Sequence, residues 1–301
     1  MSIEVTDLSF AYGSHTVLNQ VSFSVHKGSF TALLGANGAG KSTLFRCILG
    51  FLPHYQGCIT LCGQDIRTLD RRQQARLAAY IPQISAPVFN YTVLETVLMG
   101  ACGSISPLQR PGQAQRERAM EMLERLGVGH LAGCGINEIS GGERQMALIA
   151  RAMAQQAKIL IMDEPTANLD YGNQYRVLET VRRLTEEGYT VLMSTHNPEH
   201  ARRFAADVLA LKDGEIKLVD KGRGRPGALV AMFKQLDALG GVDPRYGYTL
   251  LYSDNKQLIA PVHHYMHQNL QLTGGRVAQL GPTIGTHVGP GVVGVVFVAK
   301  E

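Results

Sequence analysis

At 301 residues, 45% hydrophobic and 18% charged, the chain has the balance of a globular protein and is too long for one small core, so two domains are expected. Its net charge of +4 comes from 29 basic residues interspersed with 25 acidic ones, without the basic stripe that a nucleic-acid binder shows, so nucleic acid is excluded as a partner. The 5 cysteines, Cys47, Cys58, Cys62, Cys102 and Cys134, contain no Cys-x-x-Cys pair and suit a reduced cytoplasmic protein better than a disulfide framework.

The amino end alternates apolar and polar positions at Ile3, Val5, Leu8 and Phe10 and lacks the basic start and apolar run of a signal peptide, so it reads as a strand. Val21, Phe23 and Val25 repeat the alternation, and together the two segments predict an antiparallel region. A buried strand is expected at Phe30–Leu34 and a helix from Lys41. Between about Thr92 and Gln156 the pattern is helical, broken by the Gly/Ser/Pro/Gln-rich stretch Gly103–Gln113, as in a helical insertion within an α/β domain. Strands at Ile159–Met162, Thr190–Ser194 and Val208–Leu211 then alternate with helices from Tyr171 and Pro198, which predicts a mostly parallel sheet covered by helices. Cys58 and Cys62 are expected on one face of a strand as packing residues. The most apolar stretch, Val292–Ala299, is far short of the ~20 residues that cross a bilayer as a helix.

Gly35–Ser42 reads GANGAGKS, between the apolar strand and the helix, the setting of a phosphate loop. Gly35, Gly38 and Gly40 let backbone N–H groups turn inward around phosphate oxygens, and the helix N-terminus adds partial positive charge. Ala36, Asn37, Ala39 and Thr43 complete the cradle, Lys41 reaches the β- and γ-phosphates of ATP, and Ser42 offers its hydroxyl to Mg²⁺. Lys158–Glu164 reads KILIMDE, a strand delivering two carboxylates to the end of the sheet where ligands of such folds bind. Asp163 is expected to hold Mg²⁺ and Glu164 to act as general base toward the attacking water.

Ile139–Glu143 reads ISGGE before Arg144–Gln145 and resembles the signature of ABC ATPases, with Ile139 where Leu is usual. The resemblance covers roughly residues 1–218 and implies an α/β P-loop NTPase core with an antiparallel β region and a helical subdomain over about 85–156. It further implies that Tyr12 stacks on adenine, that Gln83 senses Mg²⁺ and a permease, and that Ala167–Asp170, including Asp170, contacts a second subunit. By the same resemblance His196 is the switch histidine near the γ-phosphate. Ser140, Gly141, Gly142 and Glu143 would contact ATP bound by the partner subunit, which implies a homodimer closing on two nucleotides. An integral membrane permease and, indirectly, a substrate-binding protein are the implied partners, at the cytoplasmic face of the membrane.

LDYGNQ at 169–174 and YTVLETVLMG at 91–100 resemble ATPases of iron-chelate importers serving siderophores, haem and cobalamin. Zinc and manganese importers, and permease-free ABC switches, are the alternatives. From about Lys212 to Glu301 the chain resembles the C-terminal half of DegV-like fatty-acid-binding proteins through KDGEI, which occurs in both families at about this place, KGRGR and GPTIGTHVGPGVVGVVFV; the second domain is set at 219–301. It is expected to form a small α/β unit with a helix over Ala228–Leu239, and the resemblance sets Thr286, His287, Arg223 and Arg225 near an acyl carboxylate. Fatty-acid binding is nevertheless expected to be weak or absent, because the other half of that family's cleft is replaced here. His263 and His267 are one helical turn apart, as metal ligands can be, but with no third ligand type they and His264 read as a solvated helix face.

Overall fold

Alternating apolar residues at the amino end form strands β1 (Ile3–Tyr12) and β2 (His15–Val25), paired antiparallel with Ile3 opposite Val25. The computed structural model describes residues 1–83, 90–105, 109–219, 232–233, 247–272, 275–279 and 293–297, which fold as two units, Met1–Val219 and Asp220–Glu301.

In the first unit β1 and β2 are joined by β4 (Gln56–Leu61) and β5 (Gln64–Asp65) in a 4-stranded antiparallel sheet. Behind it lies a 6-stranded sheet of β3 (Phe30–Leu34), β6 (Ala78–Ile81), β7 (Ile159–Met162), β8 (Thr190–Thr195), β9 (Asp207–Lys212) and β10 (Glu215–Val219), in the order β10-β9-β3-β8-β7-β6. All its pairings are parallel except the β9–β10 hairpin.

Successive residues of a strand face opposite sides, and here both sides are buried. Ala32, Leu160, Met162, Val191 and Met193 enter one core, whereas Leu33, Ile159, Ile161 and Leu192 enter the other. The second core is closed by α1 (Lys41–Ile48) and the antiparallel sheet, and α2 (Arg71–Leu77) leads into β6. The first core is closed by the helical part, α3 (Val93–Ala101), α4 (Gln113–Arg125) and α5 (Gly141–Ala154), together with α6 (Tyr171–Glu186) and α7 (Pro198–Phe204).

One local expectation is corrected. Cys62 follows β4 in a tight turn with φ 51°, exposed, so it does not share a strand face with the half-buried Cys58. KDGEI forms the turn between β9 and β10, and the Asn19 N–H donates to the Gly214 carbonyl at 2.8 Å, so this stretch is an edge of the first unit's sheet.

In the second unit β11 (Tyr248–Tyr252) lies between β12 (Arg276–Gln279), parallel to it, and β13 (Val293–Phe297), antiparallel. Helix α8 (Ala260–Gln268) packs Val262 and Met266 against Tyr248 and Leu250. His263, His264 and His267 are exposed on it, and among the described residues no group of three or more His, Cys, Asp or Glu is placed to hold a metal. Arg223, Arg225, Thr286 and His287, and the Ala228–Leu239 helix apart from Met232 and Phe233, lie outside the described residues.

Candidate active site

The chain leaves β3 at Leu34, turns through Gly35–Gly40 and enters α1 at Lys41. Gly40 caps the helix at φ 99°, and a Cβ there would lie 3.0 Å from the Val17 side chain, so both backbone conformation and space demand glycine. The loop carbonyls of Gly35 and Ala36 accept hydrogen bonds from Lys41 Nζ at 2.8 and 3.0 Å. Lys41 is buried, and its ammonium also pairs with Glu164 at 3.0 Å.

Strand β7 ends at Met162, next to the two acids. Asp163 is 4% exposed and its backbone N–H donates to the Ile81 carbonyl of β6 at 2.9 Å. Ser194 of β8 donates its hydroxyl to Asp163 Oδ1 at 2.6 Å and accepts the Glu164 N–H at 2.9 Å. Tyr80 of β6 donates to Asp163 Oδ2 at 3.4 Å.

Glu164 has φ 45°, in the left-handed region that costs a side-chain-bearing residue free energy and recurs at functional sites. Its carboxylate also lies 3.1 Å from His196 Nδ1. Burial acts to raise the Glu164 pKa, but the hydrogen bond and charge of Lys41, with the contribution of His196, outweigh it and hold the carboxyl below its usual range. Glu164 is therefore ionised at neutral pH, as a proton acceptor must be.

A cleft of ≈ 400 Å³ brings Asn37, Gly38, Gly40, Lys41, Ser42, Thr43, Gln83 and Glu164 together. Beside the same loop, a larger one of ≈ 870 Å³ joins Gly35–Ala39 to His196 and to His15. Tyr12 is exposed and stands opposite His15 in the β1–β2 ladder.

The remaining candidates lie elsewhere. Ser140 caps α5, sharing a capping box with Glu143, whose carboxylate accepts from the Ser140 N–H at 2.9 Å and hydroxyl at 2.7 Å. Such caps contribute about 1 kcal/mol. Gly142 is buried against the Asn173 side chain, where a Cβ would collide. Asp170 caps α6 by accepting the Asn173 N–H at 2.9 Å. Neither cleft is lined by Ser140–Glu143. Ser194 and Tyr80 are the groups that sequence reasoning passed over. The only signals were a serine closing an otherwise apolar strand and a tyrosine three residues before Gln83.

Residues 18–167 match the ABC transporter family. An ABC transporter ATP-binding protein of Haemophilus influenzae is 39% identical over 71% of this chain and 81% of its own length. The chain belongs to the ABC transporter ATP-binding family. It is an ABC ATPase of the P-loop NTPase fold that binds nucleotide. A Helicobacter pylori protein named as a probable iron chelatin transport ATP-binding protein is also 39% identical to this ABC ATPase, over 72% of this chain and 86% of its own length. A solved transporter assigned to the metal-chelate type, in an inward-facing conformation, superposes with TM-score 0.65 at 34% identity over 72% of this chain and 82% of that one. Residues 207–300 match the DegV family of uncharacterised proteins, so in this ABC ATPase the DegV match begins inside the β9–β10 hairpin that completes the first unit's sheet. No described helix is long and apolar enough to cross a membrane.

Proposed function

We propose that this ABC ATPase powers import of a metal chelate, of the iron-siderophore, haem or cobalamin class, through a separate membrane permease served by a substrate-binding protein. It would work as a homodimer on the cytoplasmic face. The observation that carries the reading is the meeting of Lys41, Ser42, Gln83 and Glu164 in one cleft beside the phosphate loop. The chelate class rests on the likeness to the iron chelatin and metal-chelate proteins.

The loop amides and Lys41 would hold the ATP phosphates, Lys41 exchanging Glu164 and two carbonyls for phosphate oxygens. Glu164 would accept a proton from the water whose oxygen attacks the γ-phosphorus as the bond to the ADP oxygen breaks. His196, bonded to Glu164, would orient that carboxylate, and Tyr12 would stack on adenine at the mouth of the cleft.

A divalent cation fits the acid behind the loop. Asp163 is buried, and among the described residues its carboxylate meets the hydroxyls of Ser194 and Tyr80 and no cationic side chain, which leaves a buried acid without a counter-ion. Ser42, Gln83 and Asp163 would hold Mg²⁺, which supplies charge neutralisation of the phosphates when bound. Ser140–Glu143 line neither cleft, which supports a signature that completes the site of a second copy, with Asp170 and its loop at the contact.

The test is to isolate the chain with its permease and measure ATP hydrolysis in proteoliposomes with candidate chelates and the binding protein. Stimulation by an iron chelate is expected; stimulation only by free Zn²⁺ or Mn²⁺ would overturn the chelate class.

A further inference from the structure

Asp163 sits at the end of the central strand of three, and each neighbour lends it a hydroxyl. From β8, Ser194 reaches Oδ1 at 2.6 Å; from β6, Tyr80 reaches Oδ2 at 3.4 Å. Both oxygens are thereby oriented from opposite sides of β7, while the Asp163 N–H is tied to Ile81. Ser194 is fully buried and has a second task, since the same oxygen accepts the N–H of Glu164. One hydroxyl thus fixes the carboxylate of one acid and the backbone of the next, at the residue with φ 45°.

Tyr80 differs from Ser194 in reach. Its ring meets Phe51 edge-on at 6.3 Å between centroids, and both line a groove of ≈ 350 Å³ with Arg71, Met99 and Arg151. A tyrosine hydroxyl keeps its proton at neutral pH, so Tyr80 stands as a donor to Asp163.

We propose that Ser194 and Tyr80 are positioning residues that clamp Asp163 in the orientation in which it holds a divalent cation beside bound nucleotide. The inference rests on the functional reading above and extends it to two residues that touch neither nucleotide nor water in that reading. Ligating carboxylates are commonly fixed by such partners, whose loss weakens metal affinity by about 10–100-fold. Of the two hydroxyls Ser194 is the stronger holder, because its contact is short and fully buried, whereas 3.4 Å is near the limit of a hydrogen bond.

The experiment uses the full chain and the variants Ser194→Ala and Tyr80→Phe, with a non-hydrolysable ATP analogue titrated by calorimetry in EDTA and over a series of Mg²⁺ concentrations. In EDTA both variants should bind the analogue as the parent does. The Mg²⁺ concentration giving half of the affinity gain should rise about tenfold in Ser194→Ala and about threefold in Tyr80→Phe. Tyr80→Phe keeps the ring against Phe51, so it decides the matter should Ser194→Ala fail to fold. An unchanged Mg²⁺ dependence in Tyr80→Phe, or an equal loss of affinity with and without Mg²⁺, overturns the clamp while leaving the ATPase reading intact. A parent chain that binds no nucleotide at all would sink both.

Discussion

Lys41 Nζ lies 3.0 Å from a carboxylate oxygen of Glu164, so the cation assigned to phosphate and the base assigned to water are one another's counter-ions. Lys41→Ala removes both services. Charge-assisted hydrogen bonds contribute about 1.5–3 kcal/mol each, so nucleotide affinity should fall by at least about tenfold, with hydrolysis lost. Titration with a fluorescent ATP analogue checks this, and parent-like affinity would remove Lys41 from the site.

Glu164→Gln keeps the shape of the side chain but cannot take a proton. Hydrolysis should slow by roughly 10²–10⁴-fold, the usual contribution of a general base, with ATP affinity preserved. Single-turnover phosphate release separates the two quantities, and near-parental turnover would require another base.

Acid should destabilise the fold at His200. This residue is buried beside Thr166, with Nδ1 3.5 Å from its hydroxyl. Burial, then the nearby His196, lower its pKa below 6.5. The unfolded chain therefore binds the proton first as pH falls, and stability is lost from about the unfolded value of 6.5 downward. Glu164, whose folded pKa is lowered from 4.5, adds a second loss as pH drops below that value. Thermal melts of His200→Asn between pH 7 and 5 should show a flatter dependence than the parent; identical slopes would exclude His200 as the source.

The DegV-like tail should bind long-chain fatty acid weakly or not at all. By the resemblance, the ligand of that family lies between two domains, and the segment preceding 207 in this chain matches the ABC family instead. Each methylene left in water forgoes about 0.8 kcal/mol of burial, so a few such losses remove most of the affinity. Calorimetric titration of the full chain should give no saturation at micromolar fatty acid, and submicromolar binding lost in His287→Ala would make the tail a working lipid sensor.

Much of the site was readable because its motifs are contiguous. A strand, a glycine-rich turn and a helix place Lys41 and Ser42 by local geometry alone, and a buried strand leading into Asp163 and Glu164 brings the acids to its carboxyl end. The Ser194 and Tyr80 clamp was not readable, since it depends on β6 and β8 flanking β7, an order that no local pattern encodes. The positive φ of Glu164 and the turn at Cys62 escaped for a related reason: periodicity reports which residues are apolar, not where the backbone leaves a strand. KDGEI was ambiguous because the same five residues suit both families, and here they close the β9–β10 hairpin while lying inside the DegV match.

In the proposed cycle two copies of this chain close on ATP, each completing the other's site with Ser140–Glu143. The most direct measurement is the molar mass of Glu164→Gln by light scattering during size exclusion, with and without ATP. A monomer is expected without nucleotide and a dimer with ATP, lost when Ser140→Arg is added. A Glu164→Gln protein that binds ATP and stays monomeric would contradict it.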